Sequence, residues 1–187
     1  ISDEIHARRI SLFEGGEPTA DRLARLASAL SYRAGNLTFN LQQGTDGLEY
    51  AERSARAAND ALALDPSNRD AIFAAITCSH ELGLVAKEAK EFDRAIEAFQ
   101  DSISKVRTYH PNTVDGYMKR KEYDSLLEIA DSQFSSGRKA EALASLDECF
   151  RVRRDYTELD INRISVKQFT SHAYLFETRG RLLWRMG

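Results

Sequence analysis

The sequence is short of the residues that break or cross-link a chain. Among 187 residues there are three prolines, ten glycines and two cysteines. So few prolines and glycines exclude a collagen-like, low-complexity or turn-rich all-β chain. Two cysteines make no disulfide framework. Cys78 and Cys149 fall on apolar helix faces, where a thiol ordinarily serves as a small buried hydrophobe. A reducing, cytoplasmic setting is the expectation. No run approaches the roughly 18 apolar residues that span a bilayer, and nothing reads as a signal peptide. A membrane partner is therefore not expected. Charge of one sign is scarce as well. The net charge of −3 gives no global case for nucleic acid or an anionic membrane. Locally the balance shifts: acidic residues outnumber basic ones between Gly44 and Gly137, and the order reverses from Arg138 on.

What the chain does have is helix formers. Ala, Leu, Glu, Arg and Lys dominate, and no segment alternates with a strand period. Ser2–Phe13 reads as a short amphipathic helix begun by Ser2 or Asp3, and Glu14-Gly15-Gly16-Glu17-Pro18 breaks it. From Thr19, the residues Leu23, Leu26, Ala27, Leu30 and Ala34 recur at helical spacing. That helix is expected to run to about Leu41, with Gly35-Asn36 as its weak point. Gly44–Gly47 reads as a turn, with Thr45 or Asp46 capping a helix over Leu48–Leu64.

Asp65-Pro66 stops that helix, because proline disfavours a helical residue before it and lacks an N–H. Ser67-Asn68 turns the chain. A helix from Arg69 follows, ending at Gly83 or running on through Leu84–Lys90. Phe92, Ala95, Ile96, Phe99, Ile103 and Val106 define the next one. His110-Pro111-Asn112 marks a turn before a helix over Val114–Phe134. Ser135-Ser136-Gly137 marks another before Arg138–Arg153. A last helix is expected over Ile161–Met186. This spacing gives seven or eight helices in antiparallel pairs. Opening at Ile1 and stopping at Gly187 straight after a helix-like run, the sequence is expected to be part of a longer chain.

The segments ALALDPSN, a helix closing on Leu82-Gly83, and EFDRAIEAFQDSI together resemble the tetratricopeptide repeat. Ala61 and Pro66 match the end of one repeat and Leu82-Gly83 the turn inside the next. Phe92, Ala95, Phe99 and Ser102 match its second helix, after an apparent insertion of about seven residues. Gly137, Ala142, Leu146 and Cys149 supply a further copy, and FETRGRLLWRMG resembles another first helix. The HPNT turn before a long helix resembles the extended repeats of kinesin light chains and their bacterial relatives. The resemblance covers Gly44 to Gly187. It implies an all-α, TPR-like α-solenoid of three to four antiparallel helix pairs, with irregular and partly extended helices. Residues 1–43 are then an N-terminal helical cap or the remnant of an upstream module, and 44–187 the repeats.

A second resemblance covers RRISLFEGGEPTADRLARLASAL, which is similar to the back half of a Cro-type helix-turn-helix. It would make the chain the sensor or effector part of a transcriptional regulator. The front helices of such a unit are absent, and the spacing from Glu14 to Pro18 is short.

Catalytic and metal signatures are missing. His6, His80, His110 and His172 stand in no HExxH and pair with no cysteine at ligand spacing. There is no phosphate-cradling glycine loop and no GxSxG. An enzyme would need a deep pocket near His80 or His172. No cofactor, metal or catalytic residue is expected, and nucleic acid is not an expected partner of this segment. Lys119-Arg120-Lys121, with Glu122 beside it, reads as a solvated face. The aromatics read as core residues.

What remains is a surface. The resemblance implies that first helices line a concave side. One of them would present Asp70, Phe73, Thr77, His80 and Glu81. Another would present Asp124, Glu128, Asp131 and Phe134. That groove would be acidic with an aromatic or two, suited to a basic or amphipathic peptide. It lacks the lysine–asparagine–arginine arrangement with which chaperone-binding members grip a C-terminal carboxylate. The reading is a non-catalytic scaffold that binds protein or peptide.

Overall fold

The computed structural model describes residues 2–109, 116–159 and 180. Among them every regular element is helical: α1 (Ser2–Glu14), α2 (Ala20–Gly35), a π-helical segment (Asn36–Asn40), α3 (Gly44–Leu64), α4 (Arg69–Glu88), α5 (Phe92–Tyr109), α6 (Gly116–Ser135) and α7 (Lys139–Leu159). None of these helices is long and apolar enough to cross a membrane. Three antiparallel pairs stack in chain order, α2 with α3, α4 with α5, and α6 with α7. The first helices α2, α4 and α6 also adjoin one another along one side, and α1 packs on α2 at the end.

The turns follow from their residues. Thr19 caps α2, its Oγ1 accepting from the Arg22 N–H at 3.2 Å. Asn68 caps α4 in the same way, taking the Ala71 N–H at 2.9 Å. Asp65 leaves the helical region at φ −146°, and its carboxylate accepts from the Ser67 N–H at 3.0 Å and hydroxyl at 2.7 Å. Those two bonds hold the Asp65 carboxyl below its ordinary pKa. Asn68 also donates to Asp21 at 2.7 Å, tying this junction to the first turn of α2. Gly137 ends α6 at φ +84°, a conformation that favours glycine.

One contact recurs in each pair and sets the repeat. Ser54, Ser102 and Cys149, on α3, α5 and α7, each donate to a carbonyl of the paired first helix: Ala27 at 2.8 Å, Ile76 at 2.9 Å and Tyr123 at 3.6 Å. A side chain this short reaches a neighbouring backbone only where two helices touch closely. Small residues flank each contact, with Ala34, Gly83 and Ala130 all buried on the first helices. The stack therefore begins at α2. The segment 1–43, expected as a cap or remnant, contributes the first helix of the first pair. The same packing accounts for the stretch that resembles a helix-turn-helix. Ala24, Ala27, Leu30 and Ala34 of α2 are buried in the stack, so that stretch is spent as solenoid.

One boundary differs from the sequence-based expectation. Gly44–Gly47 is the first turn of α3 and not a connecting turn, and Gln43 occupies the cap position without a side-chain bond. Gly47 serves close approach there, since a β-carbon would run into Thr38 and the Ala34 carbonyl. Of the two endings left open after Arg69, the extension past Gly83 is the one formed, and α4 continues to Glu88. The expected insertion is thus helix up to Glu88, followed by a turn in which Lys90 takes φ +63°. The weak point at Gly35-Asn36 is where α-helix gives way to π-helix, closed by Leu41 N–H to the Asn36 carbonyl at 3.1 Å. The His110–Asn112 turn, the Ile161–Met186 helix, His172 and Trp184 lie outside the described residues.

Candidate functional site

The side formed by α2, α4 and α6 carries a groove of about 510 Å³ between α2, α4 and the start of α6, reached also by α1 and the π-helical segment. Its most prominent feature is aromatic. Tyr32 from α2, Phe39 from the π-helical segment, Phe73 from α4 and Tyr117 from α6 all line it. They are 63%, 49%, 44% and 45% exposed. Among the described residues eight large apolar side chains stand exposed, and these four are half of them. Such clustering is what marks an interaction surface, whereas scattered exposure does not. The Phe73 and Tyr117 rings stack at 5.3 Å and 20°. His6 of α1 stacks on Tyr32 at 6.0 Å and 13°.

The π-helical segment helps to place this set. Asn36 and Asn40 line the groove beside Phe39, and Asn40 donates to the Asn36 side chain at 3.0 Å. The wider turn of a π-helix rotates the residues after it relative to a continuous α-helix.

Polar lining is sparse. Ser28, Ser31 and Thr77 supply hydroxyls, but the Thr77 hydroxyl already bonds the Phe73 carbonyl at 2.8 Å. Glu81 supplies a carboxylate. Burial lifts its pKa above the ordinary value, against the opposing pull of Lys121, whose Nζ lies 3.8 Å away. Lys121 Nζ also stands 5.9 Å from the centre of the Tyr117 ring. Burial, and the nearby Glu81 charge after it, raise the Tyr117 pKa.

The expected site residues divide into three groups. Phe73 and Thr77 line the aromatic groove with Glu81. Asp70 lies next to it, in a smaller hollow shared with Arg9, Arg25 and Phe73. On α6, Asp124, Glu128 and Asp131 do not form an open acidic wall. Lys87 of α4 ion-pairs with Glu128 and reaches Asp131 at 3.1 Å. Burial lowers the Lys87 pKa, and the hydrogen bonds and charges of Glu128 and Asp131 more than reverse that, so the net shift is upward. Asp124 lies 3.5 Å from Arg120. The groove lining is mainly aromatic, with Glu81 as its acid, and Asp124, Glu128 and Asp131 stand outside that lining.

His80 faces inward and is 4% exposed. Its Nδ1 is 2.9 Å from the Ser125 hydroxyl of α6, and its ring meets Phe99 edge-on at 5.4 Å. Burial, then the charges of Lys121 and Lys87, push its pKa down to about 3. It is a neutral contact between α4 and α6 and does not line the groove. Cys78 touches the groove but is 1% exposed. Burial pushes its thiol up to about 11.

Tyr32, Phe39 and Tyr117 were not among the residues expected at the site, because helical spacing alone assigns aromatics to the core. The signal for Phe39 was present in the Gly35-Asn36 break, which turns the following residues out of the α-helical register.

No protein-family model and no curated protein matches the chain. Among solved structures, one described as Podosopora anserina kinesin light chain nearly identical TPR-like repeats is similar to it. The TM-score is 0.54 and the identity 12%, covering 96% of this chain and 86% of that one. The chain is a TPR-like helical repeat. At that identity the likeness is one of fold. It extends over the first pair α2–α3 as well as the pairs that carry the sequence motifs, in agreement with the recurrent Ser54, Ser102 and Cys149 contacts.

Proposed function

We propose that this TPR-like chain is a non-catalytic, cytoplasmic scaffold that binds a segment of another protein along its concave groove. The segment is a peptide with an apolar face, amphipathic or basic in character. The observation that carries this reading is the gathering of Tyr32, Phe39, Phe73 and Tyr117, all substantially exposed, into one groove. Exposed rings lose little conformational entropy on binding and bury a large area each, which suits them as anchors for a partner. The expected acidic wall gives less support, because Lys87 already answers Glu128 and Asp131.

The test is photo-cross-linking from the groove. A benzoylphenylalanine at Phe73 is expected to capture partner protein, and the same group at the exposed Asn59 of α3 is not. Capture at Phe73 should fall at least tenfold when Tyr117 is changed to serine with the fold intact. Equal capture from both positions would remove the groove as the binding surface.

A further inference from the structure

Resting on that groove reading, we infer that the bound peptide places a basic side chain, arginine or lysine, against Tyr32 and the stacked Phe73–Tyr117 pair, with Glu81 as its counter-ion. Three rings from three different helices line the same groove as a carboxylate. The negative faces of aromatic rings attract a cation, most strongly where water is partly excluded. A carboxylate beside them adds direct charge complementarity.

The chain already illustrates the arrangement in part. Lys121 Nζ lies 3.8 Å from the Glu81 carboxylate and 5.9 Å from the Tyr117 ring centre. Both distances are at the outer edge of their interactions. Ordinary charge-assisted hydrogen bonds are about 2.7–2.9 Å long, so Lys121 leaves the Glu81 oxygens underused. The raised pKa of Glu81 agrees with this, since burial outweighs the help from Lys121.

The acids outside the groove have cations nearer to hand, Asp70 sharing its hollow with Arg9 and Arg25. Lys87 takes Glu128 and Asp131. The demand for a further cation therefore falls at Glu81. A guanidinium fits it best, being planar, weakly hydrated and able both to stack on a ring and to fork onto a carboxylate. Beyond the rings, Phe39, Asn36 and Asn40 continue the groove. A peptide would place its basic head among the rings and its flanking residues along that extension.

The experiment pans a random dodecapeptide display library against the full chain and two variants, Glu81→Gln and Phe73→Ser/Tyr117→Ser, each checked by circular dichroism. The expected result is enrichment on the wild type that the double serine variant loses. The enriched peptides should share an arginine or lysine at one fixed position, and that preference should vanish on Glu81→Gln. Replacing the fixed arginine by citrulline, which keeps the shape and removes the charge, should weaken binding at least tenfold.

Enrichment that depends on the two rings but shows no basic position, or keeps it on Glu81→Gln, would overturn the cation and leave the groove reading standing. Equal enrichment on the double serine variant, or none on the wild type, would overturn both. Acetyl-arginine amide binding as tightly as the enriched peptide would overturn the peptide as occupant.

Discussion

Phe99 of α5 occupies the space where a β-carbon on Gly83 of α4 would stand, its Cε1 only 2.5 Å from that position. The glycine lies inside a continuous helix, where it costs roughly 1 kcal/mol relative to alanine. It is tolerated because it lets the fully buried ring close the gap between α4 and α5.

Gly83→Ala should therefore destabilise the fold by about 1–2 kcal/mol, because overpacking of about 1–3 kcal/mol exceeds the propensity gain. Urea unfolding measures this. Adding Phe99→Leu to Gly83→Ala should recover part of the loss, and purely additive single effects would argue against the steric origin.

His80 gives a pH dependence. Its folded pKa of about 3 lies below the ordinary 6.5, so between those values the unfolded chain binds the extra proton. Stability attributable to this residue is complete above about pH 6.5 and is lost as pH falls toward 3. The loss is on the order of a few kcal/mol. His80→Asn keeps a partner for Ser125 and should flatten the acid side of a stability–pH profile measured by urea midpoints. An unchanged slope between pH 6.5 and 4 would show that another group causes it.

Glu81 has the opposite sign. Burial raises its folded pKa, so below the unfolded value of about 4.3 both states are protonated and no penalty exists. As pH rises through the folded pKa the buried charge destabilises the fold. Glu81→Gln should raise the melting temperature at pH 7, and the gain should disappear near pH 3.5. The gain is less than about 1 kcal/mol, because the side chain is 36% exposed and solvent screens it. A group that weakens the fold yet sits among exposed rings is what a binding role would retain.

Cys78 lines the groove without being available from it. Burial lifts its pKa to about 11, which leaves little thiolate at pH 8. Labelling by a disulfide reagent at pH 8 should be about a hundredfold slower, or more, in the native protein than in urea. Comparable rates would mean that α2 and α4 separate readily.

The helices and their pairing were legible because three-and-four spacing reports directly on burial. Leu23, Leu26, Leu30 and Ala34 on α2, and Ala95, Phe99 and Val106 on α5, all fall on the packed side of their helices. Glycine was less legible. The same residue marks a break where it takes positive φ, as at Gly137, and a close approach inside a helix, as at Gly47 and Gly83. Local sequence does not separate these uses, since the deciding atoms belong to Phe99 and Thr38 on other elements. That Phe73, Thr77 and Glu81 share one side of α4 was readable from their spacing of four, and all three line the groove. His80 is adjacent to that side and turns toward α6. The charge of the groove was not readable, because Lys87 is 41 residues from Glu128 and 44 from Asp131.

Lys87 belongs to the stretch after Gly83 by which α4 outruns an ordinary repeat, and that extra length has an electrical result. A first helix stopped at Gly83 would leave Glu128 and Asp131 bare, and the far end of the concave side would draw in cations. With the added turn the chain supplies its own cation there. Lengthening one helix thus recolours the surface of its neighbour, and the attraction for positive charge is left to Glu81, nearer the other end.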